Sequence, residues 1–392
     1  MEEIRTASAD MALRRMIHTA VKEEASDIHI EPGRDNIRIR FRKDGRLMTR
    51  FQTSIAMAQG LSVRAKVLGR MNVGESRLPQ DGSYTEEIDG ISYDFRISIL
   101  PSMYGETIVI RVLSGRVDFI ENNDLGMLPA QKELFQKALQ RKQGLILTTG
   151  PTGSGKTSTL YAALKLLNQE DVSIISIEDP VEYRIPGITQ IQVNETAGMT
   201  FAEGLRSLVR QDPDIVMIGE IRDRETAEIA IHAALTGHLV LSTLHTNGAA
   251  SAPLRLMDMG IPSYLLSASL SLVMAQRLVR RLCVHCRKEI LLTEEVCKDA
   301  GIPKTYTGKQ VYGAVGCEAC QQQGRWGRIG VFEMIPFGKA ERDMIHHDFS
   351  VDRLREQMKE QGYLSMGEAA LVMMEQGILS PEEAGQMVQE EE

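Results

Sequence analysis

The chain is 392 residues long, 43% hydrophobic and 25% charged, and 53 acidic side chains outnumber 45 basic ones for a formal net charge of −8. That length suffices for two or three domains with their own cores, and the acidic balance argues against a long-range positive field for nucleic acid, leaving only local basic patches. No apolar run approaches the roughly 18 to 20 residues that span a bilayer, and the opening MEEIRTASAD lacks the basic-then-apolar pattern of a signal peptide, so a cytoplasmic protein with no transmembrane segment is expected.

In chain order, Met11 to Val21 carries apolar residues at helical spacing, with Ser8 or Asp10 to cap it. Beyond Pro32-Gly33, Ile37, Ile39 and Phe41 alternate with Arg38, Arg40 and Arg42 up to the turn pair Asp44-Gly45, which predicts a half-buried strand entering a hairpin. A helix is expected near Ile55 to Met71. Strands follow at Ile91 to Ile99, after Asp89-Gly90, and at Thr107 to Leu113. Residues 1–114 thus read as a small α+β domain, and the polar stretch Ser114 to Asp124 as part of a linker extending to 126. From there short apolar strands alternate with helices: Leu145 to Thr149, Val172 to Ile177, Ile215 to Ile218 and Leu239 to Thr243. Such strands suit a mostly parallel sheet covered by helices, expected over 127–276. A cysteine-, arginine- and glycine-rich segment is placed at 277–335, and short helices at 336–392.

Gly150-Pro151-Thr152-Gly153-Ser154-Gly155-Lys156-Thr157 matches G-x-x-x-x-G-K-[ST] between an apolar strand and a helix beginning at Ser158. Glycines there let consecutive N–H groups converge on phosphate oxygens at a helix N-terminus. Lys156 is expected on the β- and γ-phosphates and the Thr157 hydroxyl on Mg²⁺. Two later strands end in acids, Glu178 and Glu220. Both belong at the carboxyl edge of the sheet, where ligands bind, one for hydrated Mg²⁺ and the other for the attacking water. His238 and His245 stand at the two ends of one strand, about 20 Å apart if it is extended, too far to share a metal. His245 suits γ-phosphate sensing, whereas His238 by spacing reads as a structural hydrogen-bonding residue.

Of five cysteines, Cys283, Cys286, Cys317 and Cys320 form two C-x-x-C knuckles with 30 residues between them, a Cys₄ set for structural Zn²⁺. Cys297 reads as a small buried hydrophobe, and Met366, Met373 and Met374 as packing residues. The basic run Arg277, Arg280, Arg281 and Arg287 is read as an interdomain or acidic-partner surface before a nucleic-acid one.

The segments Ala25 to Pro32, Arg77 to Gly82, Phe95-Arg96 through Gly105 to Arg111, Gly150 to Thr157, Ile177 to Glu182, Asp212 to Asp223 and Gly237 to Asn247 together resemble the type II secretion and type IV pilus assembly ATPase family. The resemblance covers nearly the whole chain. It implies a RecA-like P-loop core preceded by a PAS-like α+β domain, with ATP, Mg²⁺ and Zn²⁺ as cofactors. It implies an Asp box at Ile177 to Glu182 with Glu178 activating water, Glu220 in the Walker B place, and His238 and His245 as the His box. It makes Arg96 and Arg111 arginines that reach the nucleotide from the N-terminal domain. It further implies an ATP-hydrolysing homo-hexamer, peripheral to the inner face of the cell membrane, that drives an inner-membrane platform protein to assemble a type IV pilus, a type II secretion pseudopilus or a competence filament. The chain is expected to have room for just one domain before the motor, as in short competence-type members. Gly324 to Arg328 departs from the family's stretch, so Trp326 is given no role. A nucleic-acid motor and a zinc-stabilised scaffold are the rival readings, disfavoured by charge and by intact Lys156, Thr157, Glu178 and Glu220 respectively.

Overall fold

The computed structural model describes residues 2–3, 8–114, 125–347 and 349–390, so most of the expected linker lies outside the described residues. The chain divides into two units, Met1–Asp118 and Phe119–Glu392.

The first unit is built on β1 (Glu2–Glu3), α1 (Ala9–Lys22), β2 (Asp27–Pro32), β3 (Asn36–Lys43), β4 (Arg46–Ser54), α2 (Ala58–Leu68), β5 (Gln80–Ile88), β6 (Ile91–Ser102) and β7 (Gly105–Ser114). The seven strands form one sheet in the order β1-β4-β3-β2-β7-β6-β5, antiparallel but for β1 and β4. Alternation sets its buried face: Ile37, Ile39, Phe41, Phe95, Ile97 and Ile99 are all 2% exposed or less. Asp44-Gly45 and Asp89-Gly90 take positive φ at both positions, the geometry of a two-residue hairpin turn. Leu13, Met16 and Ile17 of α1 close the core. Below it, the buried Lys66 ammonium on α2 pairs with Glu106 Oε1 at 2.7 Å and donates to Glu75 O at 2.6 Å, while Ser62 donates to Glu106 Oε2. Glu106 therefore ties α2 to the start of β7.

The second unit opens with α3 (Pro129–Leu139), β8 (Gly144–Thr149), α4 (Lys156–Leu167), β9 (Ile174–Glu178), β10 (Thr189–Gln192), α5 (Phe201–Leu208), β11 (Ile215–Ile218), α6 (Arg224–Leu235), β12 (Leu239–Leu244), α7 (Ala252–Asp258) and α8 (Ser263–Ser269). Then come β13 (Leu270–Leu282), β14 (Lys288–Leu291), α9 (Glu294–Ala300), β15 (Gln310–Gly313), β16 (Arg325–Pro336), α10 (Lys339–His347), α11 (Val351–Glu360), α12 (Met366–Glu375) and α13 (Pro381–Gln389). Its main sheet runs β10-β9-β11-β12-β8-β13-β16, with every neighbouring pair parallel except β13 and β16. Every residue of β8, β9, β11 and β12 is buried, which is why those segments read as unbroken apolar runs. The chain leaves β8 towards β9 and returns on its other side with β13, making the carboxyl end of β8 a switch point where a crevice opens.

The expected border at 276/277 falls inside β13, and β16 belongs to the same sheet. The arginines that shifted the local composition sit on a strand whose Leu278, Val279 and Leu282 continue the apolar pattern. The tetracysteine segment is thus an excursion between two paired strands of the motor sheet. Cys297 and the three named methionines are buried.

Candidate nucleotide site and tetracysteine centre

The loop after β8 is shaped by glycine. Gly150, Gly153 and Gly155 have φ of +143°, +79° and +88°, values at which an L side chain is strained. A Cβ on Gly150 would also lie 2.5 Å from the carbonyl oxygen of Gln276. Gly155 caps α4 at its N-terminus, so the N–H groups of its first turn face the loop. Pro151, Thr152, Gly153 and Thr157 are exposed along its mouth, and Ser158 is half-buried behind them. Buried Ser154 Oγ has no hydrogen-bond partner among the described residues. Lys156 curls over the loop, donating to Gly150 O at 2.8 Å and Pro151 O at 3.0 Å. Burial lowers its pKa, Glu220 opposes that and Arg277 adds to it. Glycine backbone, helix N-terminus, lysine and an unpaired hydroxyl together fit a triphosphate. The second strand wall is held by Gln276, which is 2% exposed and accepts from Thr159 Oγ1 at 2.7 Å.

The two strand-end acids differ. Glu178 is 2% exposed; Tyr161 donates to Oε2, and Ser176 and Gln190 donate to Oε1 at 2.6 and 3.2 Å. Tyr161 in turn accepts the Glu182 and Tyr183 N–H groups at 3.1 and 3.4 Å, and burial, then the Glu178 charge, raise its pKa. Glu178, expected to activate water, is held here by three side chains. Both its oxygens are engaged, and it braces the turn that follows β9. Tyr161 and Gln190 went unread in the sequence, although a tyrosine inside an apolar helix needs a partner for its hydroxyl.

Glu220 follows β11 and keeps a side-chain exposure of 19%, with Oε1 accepting from Arg222 Nη2 at 2.5 Å and Oε2 lying 3.3 Å from His245 Nε2. The Arg222 hydrogen bond holds its carboxyl below the usual carboxylate range, against the effect of burial. Arg222 also pairs with Asp179 at 3.5 Å. Thr243 donates to Gly219 O at 2.8 Å and accepts the Ile221 N–H at 3.0 Å, which fixes the Glu220 peptide against the strand that carries His245. His238 is not gathered into this group. It precedes β12 at the opposite end from His245, and its Nδ1–H donates to Ala233 O at 3.0 Å, closing the end of α6.

Arg96 and Arg111 lie in the first unit, directly opposite one another on β6 and β7. Like charges so placed repel, and buried Asp27 offsets this by accepting from Arg111 Nε at 3.1 Å.

Cys283, Cys286, Cys317 and Cys320 bring their Sγ atoms within 4.8 Å of one another. Three of the separations are 3.9, 3.8 and 3.7 Å. A tetrahedron of sulfurs about 2.3 Å from zinc has edges of about 3.8 Å, so the donor set fits that ion. Burial pushes the Cys286 thiol up to about 11, whereas at Cys320 burial is outweighed by the Cys317 and Gly324 N–H donors at 3.2 and 3.1 Å, which hold it at about 6. Four adjacent thiols cannot all ionise without a cation among them.

Residues 3–386 match the family model described as type II/IV secretion system protein. The chain belongs to that family. It is 46% identical over 360 residues to the type II secretion system protein E of Aeromonas hydrophila, covering 90% of this chain and 72% of the relative. To the type IV pilus assembly ATPase PilB of Pseudomonas aeruginosa it is 41% identical over 396 residues, 99% of this chain and 70% of the relative. Among solved structures it resembles the pilus retraction motor PilT with bound ADP (TM-score 0.65, 27% identity, 95% and 96% of the two chains). The fold is also that of the Legionella pneumophila ATPase DotB (TM-score 0.72, 21% identity, 98% of each chain).

Proposed function

We propose that this member of the secretion family is an ATP-hydrolysing motor that powers assembly of a type IV pilus or a type II secretion apparatus, working as a homo-hexamer on an inner-membrane platform protein. The observation that carries the reading is Lys156 in an intact phosphate loop beside the Glu220–His245 pair. ATP would lie with its phosphates against Gly150 to Ser158, and Thr157 and Glu220 would hold Mg²⁺, which supplies charge neutralisation on the β- and γ-oxygens. Water attacks the γ-phosphorus as the bond to the β-bridging oxygen breaks, giving ADP and phosphate. Glu220, kept ionised by Arg222, orients that water, and His245 follows the γ-phosphate. Arg96 and Arg111 would add positive charge as the bond breaks, a task worth about 10³ to 10⁵ in turnover where an arginine performs it. The cysteine knuckles would hold structural zinc.

Phosphate release by Lys156→Ala tests the core of this reading. The loss of a cation facing the β- and γ-phosphates should remove most turnover; near-normal hydrolysis would sink it. DNA-stimulated turnover in the wild type would favour a nucleic-acid motor instead.

A further inference from the structure

Arg277 stands on β13 next to Gln276, and its guanidinium reaches parts of the chain that no single element supplies. Nε donates to Glu390 Oε2 at 3.2 Å, Nη1 to Gln276 O at 3.3 Å and Nη2 to Asn247 O at 3.3 Å. Asn247 lies two residues after His245, and Glu390 directly after α13. The guanidinium is 15% exposed, and its charge is felt at Lys156.

We propose that Arg277 is a positioning residue for ATP hydrolysis. It locks the His245–Asn247 segment onto β13, so that His245 keeps its place beside Glu220 and the γ-phosphate. The inference rests on the site reading above. A planar guanidinium can bridge two carbonyls and a carboxylate in fixed directions, which an ammonium cannot. The fold does not depend on the grip. The Glu390 side chain is 53% exposed, so the ion pair adds little stability. Arg277, Glu390, Asn247 and Gly248 also line a cavity of about 420 Å³, so truncating the guanidinium enlarges an existing space and leaves no core void.

Steady-state hydrolysis and fluorescent-ADP binding by the full chain test this in Arg277→Gln, Arg277→Lys and Glu220→Gln. In Arg277→Gln, kcat should fall about 10-fold, with KM and ADP affinity within about twofold and the melting temperature unchanged, because the interaction acts on the reacting end and not on binding. Arg277→Lys should recover part of that loss. An unchanged kcat in Arg277→Gln overturns the inference, as does a parallel loss of ADP affinity. Should the glutamine variant not fold, the lysine variant decides, since wild-type kcat there overturns it equally. Full turnover in Glu220→Gln would remove the site reading; loss there with normal kcat in both Arg277 variants removes this inference alone.

Discussion

Glu220 has neighbours on each oxygen, Arg222 and His245, and the arginine keeps its carboxyl ionised into acid. A carboxyl so depressed orients water better than it stores a proton. Glu220→Gln should therefore bind ATP and lose about 10² in turnover, measured by phosphate release against nucleotide affinity; normal turnover would move the role elsewhere. The sign for stability follows from the same depression. The contribution of the pair is present above the ordinary carboxylate pKa of about 4.3 and is lost as pH falls through the lower folded value. Urea unfolding of wild type and Glu220→Gln should accordingly converge in acid and diverge near neutrality. The phosphate loop was legible because glycine at three positive-φ positions leaves a local signature. The partners of Glu178 were not legible, because they come from α4 and β10 and no spacing along the chain reveals a hydroxyl arriving from another element.

Among the elements, the α2–β7 tie and the α9–α13 contact make separate claims. Glu106→Ala leaves the Lys66 ammonium buried without its counter-ion, a loss of about 3 to 5 kcal/mol. Hydrogen exchange should rise in peptides from α2, β5 and β7 while peptides from β8 to β12 stay protected; unchanged protection in the first unit would show that Lys66 finds another partner. At Gly385 a Cβ would lie 1.6 Å from the carbonyl oxygen of Ala300. Alanine gains up to about 1 kcal/mol of helix propensity, yet overpacking at such a contact costs about 1 to 3 kcal/mol. Gly385→Ala should thus lower the melting temperature, and a rise would mean that α13 shifts freely. Seven strands, β3, β6, β7, β8, β9, β11 and β12, were readable from alternation or unbroken apolar runs. The true extent of β13 was not, because its half-buried arginines put charge on a strand that is buried along much of its length.

For the whole molecule, the ring proposal requires that activity depend on assembly. Specific ATPase activity should rise with protein concentration, and Arg96→Ala and Arg111→Ala should bind ATP while hydrolysing it poorly. Constant specific activity down to demonstrably monomeric concentrations would defeat the ring, and full activity in both variants the arginine assignment. Metal analysis should find one Zn²⁺ per chain, absent from a Cys317→Ser/Cys320→Ser double variant, with exchange rising between 283 and 324 and the β8 core intact. The pairing of Leu282 with Arg325 has a consequence for length. The excursion between those residues is pinned to the motor sheet at both ends, and its Leu292, Cys297 and Val311 pack into the same core. A register shift between Arg280 and Leu282 lies between the excursion and Gln276, so one extra residue at the base is taken up there. The bulge thus separates the length of the excursion from the pairing that keeps Gln276 on Thr159.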